Sequence, residues 1–338
     1  MDYRPLGRTG VQVSKLCLGT MMFGAWGNTD HGDSIRIIHS ALDAGINFVD
    51  TADVYSAGES EEIVGKALKG RRDDVVLATK LGVPMDESPN HRGGSRRWIM
   101  QEVERSLRRL DTDWIDLYQL HRPDPQTDID ETLGALTDLV QQGKVRSIGS
   151  SSFNAGQIVE AQWAARERRL ERFRTEQPPY SLLTRSIELD VLPTTQRHGM
   201  GILTYSPLAG GSLSGRWSAD ATPTSPARKR LAARFDMSLA ENQRKLEAVQ
   251  ALGAVAEDAG LSLIELAIAF VVNHPAVTSA IIGPRTMEQL DSQLPAADVT
   301  LSPEQLDRID EIVRPGVNLN VADTSYGDQV LTPGLRRR

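Results

Sequence analysis

The sequence predicts an α/β protein built as one (β/α)8 barrel, and three observations carry that expectation. Short apolar runs alternate with longer amphipathic ones from end to end. Eight such strand-plus-helix units can be counted. No Pro-, Gly- or Ser-rich linker divides them. Strands alternating with helices pair in parallel through crossovers. Eight units close a barrel or form a long open sheet. With 338 residues there is room for a barrel of about 250 residues plus insertions, and the undivided chain favours one barrel over two domains.

The elements follow in order. Tyr3 to Val13 reads as an N-terminal hairpin within 1–15, turning at glycines, that lies across the bottom of the barrel. The eight strands are expected at 16–19, 47–50, 74–80, 114–121, 145–150, 174–177, 201–205 and 278–282. Helices are expected over 34–44, where Ile35, Ile38, Ala41 and Leu42 share a face, and over 61–68, 95–110, 132–142 and 155–166. A further helix over 186–197 is interrupted by Pro193. The last helices fall at 241–258, 263–273 and 287–294, with one more opened by Ser302 at the N-cap and Pro303 at the first helical position. Two segments read as additions to the one domain spanning 1–338. They are an insertion over 210–240 after the seventh barrel strand and a C-terminal tail over 314–338 without clear period.

Composition excludes several classes. Apolar residues at 40% and charged residues at 25% are globular proportions. One cysteine, Cys17, excludes an intramolecular disulfide and argues against a Cys-rich metal site; inside the first barrel strand it reads as a small core residue. A net charge of -7 argues against a nucleic-acid partner. The longest apolar run, Leu266 to Val272, is far short of the roughly 20 residues that span a bilayer, so no membrane partner is expected. Met1-Asp2-Tyr3-Arg4-Pro5 lacks the basic flank and apolar run of a signal peptide, and a cytoplasmic location is the expectation.

In such a barrel, chemistry gathers at the C-terminal ends of the strands. Those ends carry Gly19-Thr20-Met21, Asp50, Lys80, His121, Ser150-Ser151-Ser152, Gln177, Tyr205-Ser206-Pro207 and Gly283-Pro284-Arg285, with Tyr55 on the loop after Asp50. An acid, a phenol, an amine and an imidazole on consecutive strand ends have a joint logic. A phenol with a pKa near 10 is a poor proton donor at neutrality, and a neighbouring ammonium lowers that value. A carboxylate keeps the amine charged and oriented, and an imidazole hydrogen-bonds a substrate carbonyl. The set suits protonation of an oxygen that gains negative charge as hydride reaches its carbon. No side chain supplies hydride, so a nicotinamide or flavin is required. No Gly-x-Gly-x-x-Gly follows a strand, which argues against the Rossmann route to a dinucleotide. No His-Glu-x-x-His or clustered metal-ligand set is present, so no metal is expected.

Gly45-Ile46-Asn47-Phe48-Val49-Asp50-Thr51-Ala52-Asp53-Val54-Tyr55, then Gly58-Glu59-Ser60-Glu61-Glu62, resembles the aldo-keto reductase signature. Agreement continues through Thr79-Lys80, Leu117 to His121, Ile148 to Asn154, Gln177 to Ser181 and Tyr205 to Leu208, covering residues 3 to 313 in order. The stretches Gln177-Pro178-Pro179-Tyr180-Ser181-Leu182-Leu183 and Tyr205-Ser206-Pro207-Leu208-Ala209-Gly210-Gly211 resemble the bacterial branch related to potassium-channel β-subunits. The resemblance implies a TIM barrel and NADP(H)-dependent reduction of a small carbonyl substrate, an aldehyde or ketone. Tyr55 is then the general acid, Lys80 lowers its pKa, Asp50 pairs with Lys80, and His121 orients the carbonyl. Ser151 and Gln177 hold the nicotinamide carboxamide and Tyr205 stacks on the ring. Ser206, Leu208 and Gly210 line the pyrophosphate. Gly283, Arg285, Gln289 and Gln293 face the adenosine end, with Arg285 matched to a 2′-phosphate, which favours NADP over NAD. The implied cofactor contacts also include Gly19, Thr20, Met21, Asp50, Ser152, Pro207 and Ser212. The chain departs from the family at Ser152 and Gln293, both commonly Asn. Ser152 keeps a hydroxyl but loses the amide's donor–acceptor pair. Two other functions share these residues: a nucleotide-sensing module of the channel β-subunit type with slow turnover, and a dedicated biosynthetic reductase of a keto-sugar or pyridoxal.

Overall fold

The computed structural model describes residues 1–217 and 232–324. Residues 218–231 of the expected insertion, with the basic run Arg228-Lys229-Arg230, and residues 325–338 of the expected tail, with Arg336-Arg337-Arg338, lie outside them.

A hairpin of β1 (Tyr3–Pro5) and β2 (Gln12–Ser14) precedes eight parallel strands. These are β3 (Leu16–Gly19), β4 (Phe48–Asp50), β5 (Val76–Leu81), β6 (Ile115–Leu120), β7 (Val145–Ser151), β8 (Thr175–Gln177), β9 (Gly201–Tyr205) and β10 (Ser279–Ile282). They pair in chain order, and β10 closes on β3, so the sheet is a closed barrel and not an open sheet. The helices are α1 (His31–Asp43), α2 (Glu59–Leu68), α3 (Arg96–Leu110), α4 (Ile129–Gln141), α5 (Ala155–Arg168), α6 (Val191–His198), α7 (Ala240–Asp258), α8 (Leu263–Asn273), α9 (Met287–Gln293) and α10 (Pro303–Ile312). This is the (β/α)8 TIM barrel with its N-terminal hairpin.

Strand alternation explains the interior. Cys17, Phe48, Ala78, Leu117, Leu203 and Ile281 form an inner layer with Leu6 and Val13 of the hairpin segment. Side chains two residues further along each strand point the same way. That step leads from Phe48 to Asp50, from Ala78 to Lys80, from Leu117 to Gln119 and from Leu203 to Tyr205. The hairpin reaches the other end: a Cβ at Gly7, whose φ is +56°, would lie 2.7 Å from the Arg174 carbonyl and the Gly201 amide, at the starts of β8 and β9. Apolar packing therefore closes the bottom and leaves the polar groups at the top.

Helix starts differ from the periodicity because caps, not apolar residues, set them. In α1 the Asp30 side chain accepts from Asp33 N–H, so the helix opens at His31, ahead of its first apolar position. Reciprocal capping boxes start α5 (Asn154, Gln157), α8 (Ser262, Glu265) and α10 (Ser302, Gln305), the last with Pro303 at its first position. Pro193 does not interrupt a helix. Residues 186–188 form a separate 3-10 turn, and Pro193 sits in the first turn of α6, where backbone N–H groups have no intrahelical acceptor. Among the described residues no helix is long and apolar enough to cross a membrane.

Candidate active site

The ends of β4, β5, β6 and β8 bring one buried polar chain together. Lys80 Nζ donates to Asp50 Oδ1 at 2.5 Å, to the Thr51 carbonyl at 2.8 Å and to Tyr55 Oη at 3.2 Å. The other Asp50 oxygen accepts from Gln119 Nε2 at 3.2 Å and Gln177 Nε2 at 2.9 Å. The side chains of Lys80 and Asp50 are 0% and 3% exposed. Such a pair needs every remaining hydrogen bond to offset its desolvation, and the two amides and the Thr51 carbonyl provide them.

Tyr55 and His121 face each other edge to face, with ring centroids 5.8 Å apart. Trp26 flanks Tyr55 on another side, its ring centroid 6.0 Å away. The β4–α2 loop is held under load: Ser56 and Ala57, right after Tyr55, have φ of +49° and +57°. Ser56 Oγ donates to the Phe23 carbonyl and accepts from Trp26 N–H, so the β3–α1 loop braces the turn that carries Tyr55.

Electrostatics divides the roles. Burial pushes the Tyr55 phenol above its ordinary pKa; Lys80 opposes this and Asp50 adds to it. The Lys80 ammonium thus pulls the phenol pKa down, the direction assigned to it from the sequence, while burial outweighs that pull. Burial would lower the Lys80 pKa, yet Asp50 and Tyr55 hold it above its usual range, so it stays an ammonium. His121 is driven well below the usual imidazole value by burial, then by Lys80 and Arg122. It is a neutral ring near pH 7, a hydrogen-bond donor but a poor proton source. Tyr55 is left as the group that both holds a proton and has a cation beside it to receive its phenolate.

The remaining strand ends form the rest of the rim. Ser151 Oγ donates to the Gln177 carbonyl at 2.9 Å, and Ser152, with φ +61°, donates its N–H to the same carbonyl at 3.1 Å. Ser152 Oγ accepts from Arg122 Nη1 at 2.7 Å and lies 3.2 Å from Tyr205 Oη. Beyond β9, Ser206 and Ala209 again have left-handed φ. Ser206 Oγ accepts from Gly210 N–H, and Pro207 and Leu208 complete that turn. The Ser212 hydroxyl is buried with no hydrogen-bond partner among the described residues. Phe235, from the far side of the 210–240 segment, packs where a Cβ on Gly210 would come within 3.2 Å of its ring. Gly283 is exposed, Gln293 is buried, and Gln289 Oε1 accepts from Arg285 N–H at 2.7 Å. Asn28 Nδ2 donates to the Arg285 carbonyl, tying the β3–α1 loop to the β10–α9 loop. The Arg285 guanidinium makes no ion pair among the described residues. Gly19 sits against Ile281 on β10 and Met21 is exposed. Thr20, right after β3, donates its N–H to the Asp50 carbonyl at 3.0 Å, and its buried hydroxyl lies 2.8 Å from Ser60 Oγ.

Three polar residues of the site were missed in the sequence. Gln119 shares the inward face of β6 with His121 and could have been found by alternation. Arg122 and Glu176 had no such signal, since only the fold puts them beside Ser152 and Ser150. Glu176 Oε1 accepts from Phe153 N–H at 3.0 Å, and Oε2 lies 2.5 Å from Ser150 Oγ. Burial pushes the Glu176 carboxyl up to about 8, against hydrogen bonds from Ser150 and the backbone of Phe153 and Ser152, and against Arg122. From the ordinary 4.5 to about 8 the folded protein holds a proton that the unfolded chain releases, so this group makes stability fall as pH rises through that window. Thermal melts across it should show the decline, and Glu176→Gln should flatten it. An unchanged slope in the variant would remove Glu176 as the cause.

The aldo/keto reductase family profile matches residues 15–314. An uncharacterized oxidoreductase, YrpG, of Bacillus subtilis is 42% identical over 92% of this chain and 96% of its own length. The aldo-keto reductase YhdN of Bacillus subtilis is 36% identical over 99% of both chains. A probable voltage-gated potassium channel subunit beta of Arabidopsis thaliana is 37% identical over 93% of this chain and 97% of its own length. The chain belongs to the aldo/keto reductase family, a family of oxidoreductases.

Proposed function

We propose that this protein is an NADPH-dependent reductase of aldehydes or ketones, working as one barrel unit with hairpin, post-β9 segment and tail. One observation carries the reading: the buried chain Asp50–Lys80–Tyr55, with His121 neutral beside the phenol. The residues present fit the cofactor. The Ser212 hydroxyl beside the left-handed turn at 206–210, without a hydrogen-bond partner among the described residues, suits a pyrophosphate, and the Arg285 guanidinium, without an ion pair among them, suits a 2′-phosphate. Gln177 spends its amide nitrogen on Asp50 and Gln119, which leaves its carbonyl oxygen to accept from a carboxamide.

When bound, a reduced nicotinamide supplies hydride to the carbonyl carbon. His121 donates a hydrogen bond to the carbonyl oxygen and aligns it. Tyr55 gives that oxygen its proton, and Lys80 stabilises the phenolate left behind. Asp50 keeps Lys80 charged, while Gln119 and Gln177 keep Asp50 in place. Trp26 and the β3–α1 loop bound the pocket and help to exclude water from the proton transfer.

Titration with NADPH and NADH, followed by a carbonyl screen, tests the reading. Arg285→Ala should weaken NADPH binding about tenfold or more and leave NADH binding nearly unchanged, as loss of a charge-assisted phosphate contact requires. Equal loss for both nucleotides would remove Arg285 from the 2′-phosphate. A second reading, a nucleotide-sensing module, is favoured by the similarity to the Arabidopsis channel subunit named above. It predicts tight NADPH binding with little turnover.

A further inference from the structure

Residues 150–153 join β7 to the nicotinamide side of the site, and their conformation is not one the chain adopts unaided. Ser152 is a non-glycine residue at φ +61°, and both Ser151 Oγ and Ser152 N–H are drawn onto the Gln177 carbonyl. Behind this turn, away from the barrel interior, lies Glu176. Gln177 faces inward to Asp50, and Glu176, one residue earlier on β8, faces the opposite side. Its carboxyl is fully buried and spans the turn, with one oxygen accepting from Phe153 N–H and the other on Ser150 Oγ. Ser150 Oγ is in turn 3.4 Å from the Thr175 carbonyl. The turn is thus clamped at its first and last residues by one side chain, while its middle residues carry the contacts that face the site.

We infer that Glu176 is a positioning residue for the nicotinamide end of the cofactor, acting through Ser151 and Ser152. The inference rests on the NADPH reading above. A carboxyl that only filled space would be a costly choice at a fully buried position, since an apolar side chain would do so without desolvation. The Glu176 carboxyl bonds to Ser150 and Phe153 and not to Lys80, Tyr55 or His121; it reaches them only through the turn. Removing the carboxyl takes the acceptor from Phe153 N–H and the partner from Ser150, and the turn relaxes away from its left-handed geometry. The adenosine end, assigned to Arg285 and Gln289 after β10, makes no contact with the 150–153 turn through Glu176 and is untouched.

The geometry also says which substitution is tolerated. In Glu176→Gln the amide oxygen can accept from Phe153 N–H and the amide nitrogen can donate to Ser150 Oγ, whose own proton then goes to the Thr175 carbonyl. In Glu176→Leu neither bond is possible. Glu176→Asp keeps the carboxyl but draws it back by one carbon.

The test compares binding of NADPH with binding of 2′,5′-ADP, which lacks the nicotinamide end, by fluorescence titration and calorimetry. For Glu176→Leu the NADPH dissociation constant should rise about tenfold or more and that of 2′,5′-ADP should stay within about twofold, the scale set by losing the partner of one buried polar group. Glu176→Gln should restore NADPH binding to near the wild-type value. Parallel weakening of both ligands would mean general damage to the barrel and would overturn the assignment, as would unchanged NADPH binding. If Glu176→Leu does not fold, Glu176→Asp decides by the same comparison. Failure of wild type itself to bind NADPH would instead overturn the cofactor reading, so the two failures are separable.

Discussion

Tyr55→Phe should bind NADPH within about twofold of wild type and lose about 10²–10⁴ in carbonyl turnover, the range for removal of a positioned proton donor. The substitution removes one oxygen. It leaves the ring contacts with Trp26 and His121 and the ion pair of Lys80 with Asp50. No neighbour can take over the proton. His121 is neutral because burial and two nearby cations disfavour its charged form, and Lys80 is tied to Asp50 and the Thr51 carbonyl. Steady-state rates with one aldehyde, beside a binding titration, check this. Near-normal turnover in the variant would remove Tyr55 from the chemistry.

Lys80→Met should damage both stability and turnover. It leaves the Asp50 carboxylate buried among two amide donors without its cation. Removing one partner of a buried pair costs about 3–5 kcal/mol. Chemical denaturation should show that loss. The catalytic effect has a sign. Lys80 is the group that pulls the phenol pKa down against burial and Asp50, so without it the phenol pKa rises further. The alkaline limb of the pH–rate profile for reduction, where the phenol must be protonated, should move to higher pH. The plateau beneath it should drop, because the phenolate formed in the step loses its stabilising charge. An alkaline limb that moves down would contradict the assigned direction.

What could be seen in the sequence follows from strand periodicity. Alternation put Asp50, Lys80, His121, Gln177 and Tyr205 at strand ends, and the structure brings Asp50, Lys80 and Gln177 into hydrogen-bonded contact with Tyr55 and Gln119. The parts that stayed hidden depend on distance in space. Glu176 faces away from the barrel interior, so its tie to Ser150 and Phe153 has no period to betray it. Arg122 reaches Ser152 only because β6 and β7 are neighbours. Helix starts were late by up to three residues because polar caps such as Asp30 precede the apolar stripe. Pro193 read as a break because its place within the first turn depends on where the helix begins. The net direction of the phenol's pKa stayed hidden for a related reason: the lowering charge of Lys80 is legible in a motif, whereas burial is a property of the whole fold.

The most direct test of the central claim is carbonyl-dependent NADPH oxidation by the purified chain across a panel of aldehydes and ketones, with alcohol product measured against NADPH consumed. The account predicts stoichiometric alcohol formation with at least one class of carbonyl. Tight NADPH binding with no carbonyl-dependent oxidation across the panel would contradict it and leave the nucleotide-sensing function in its place.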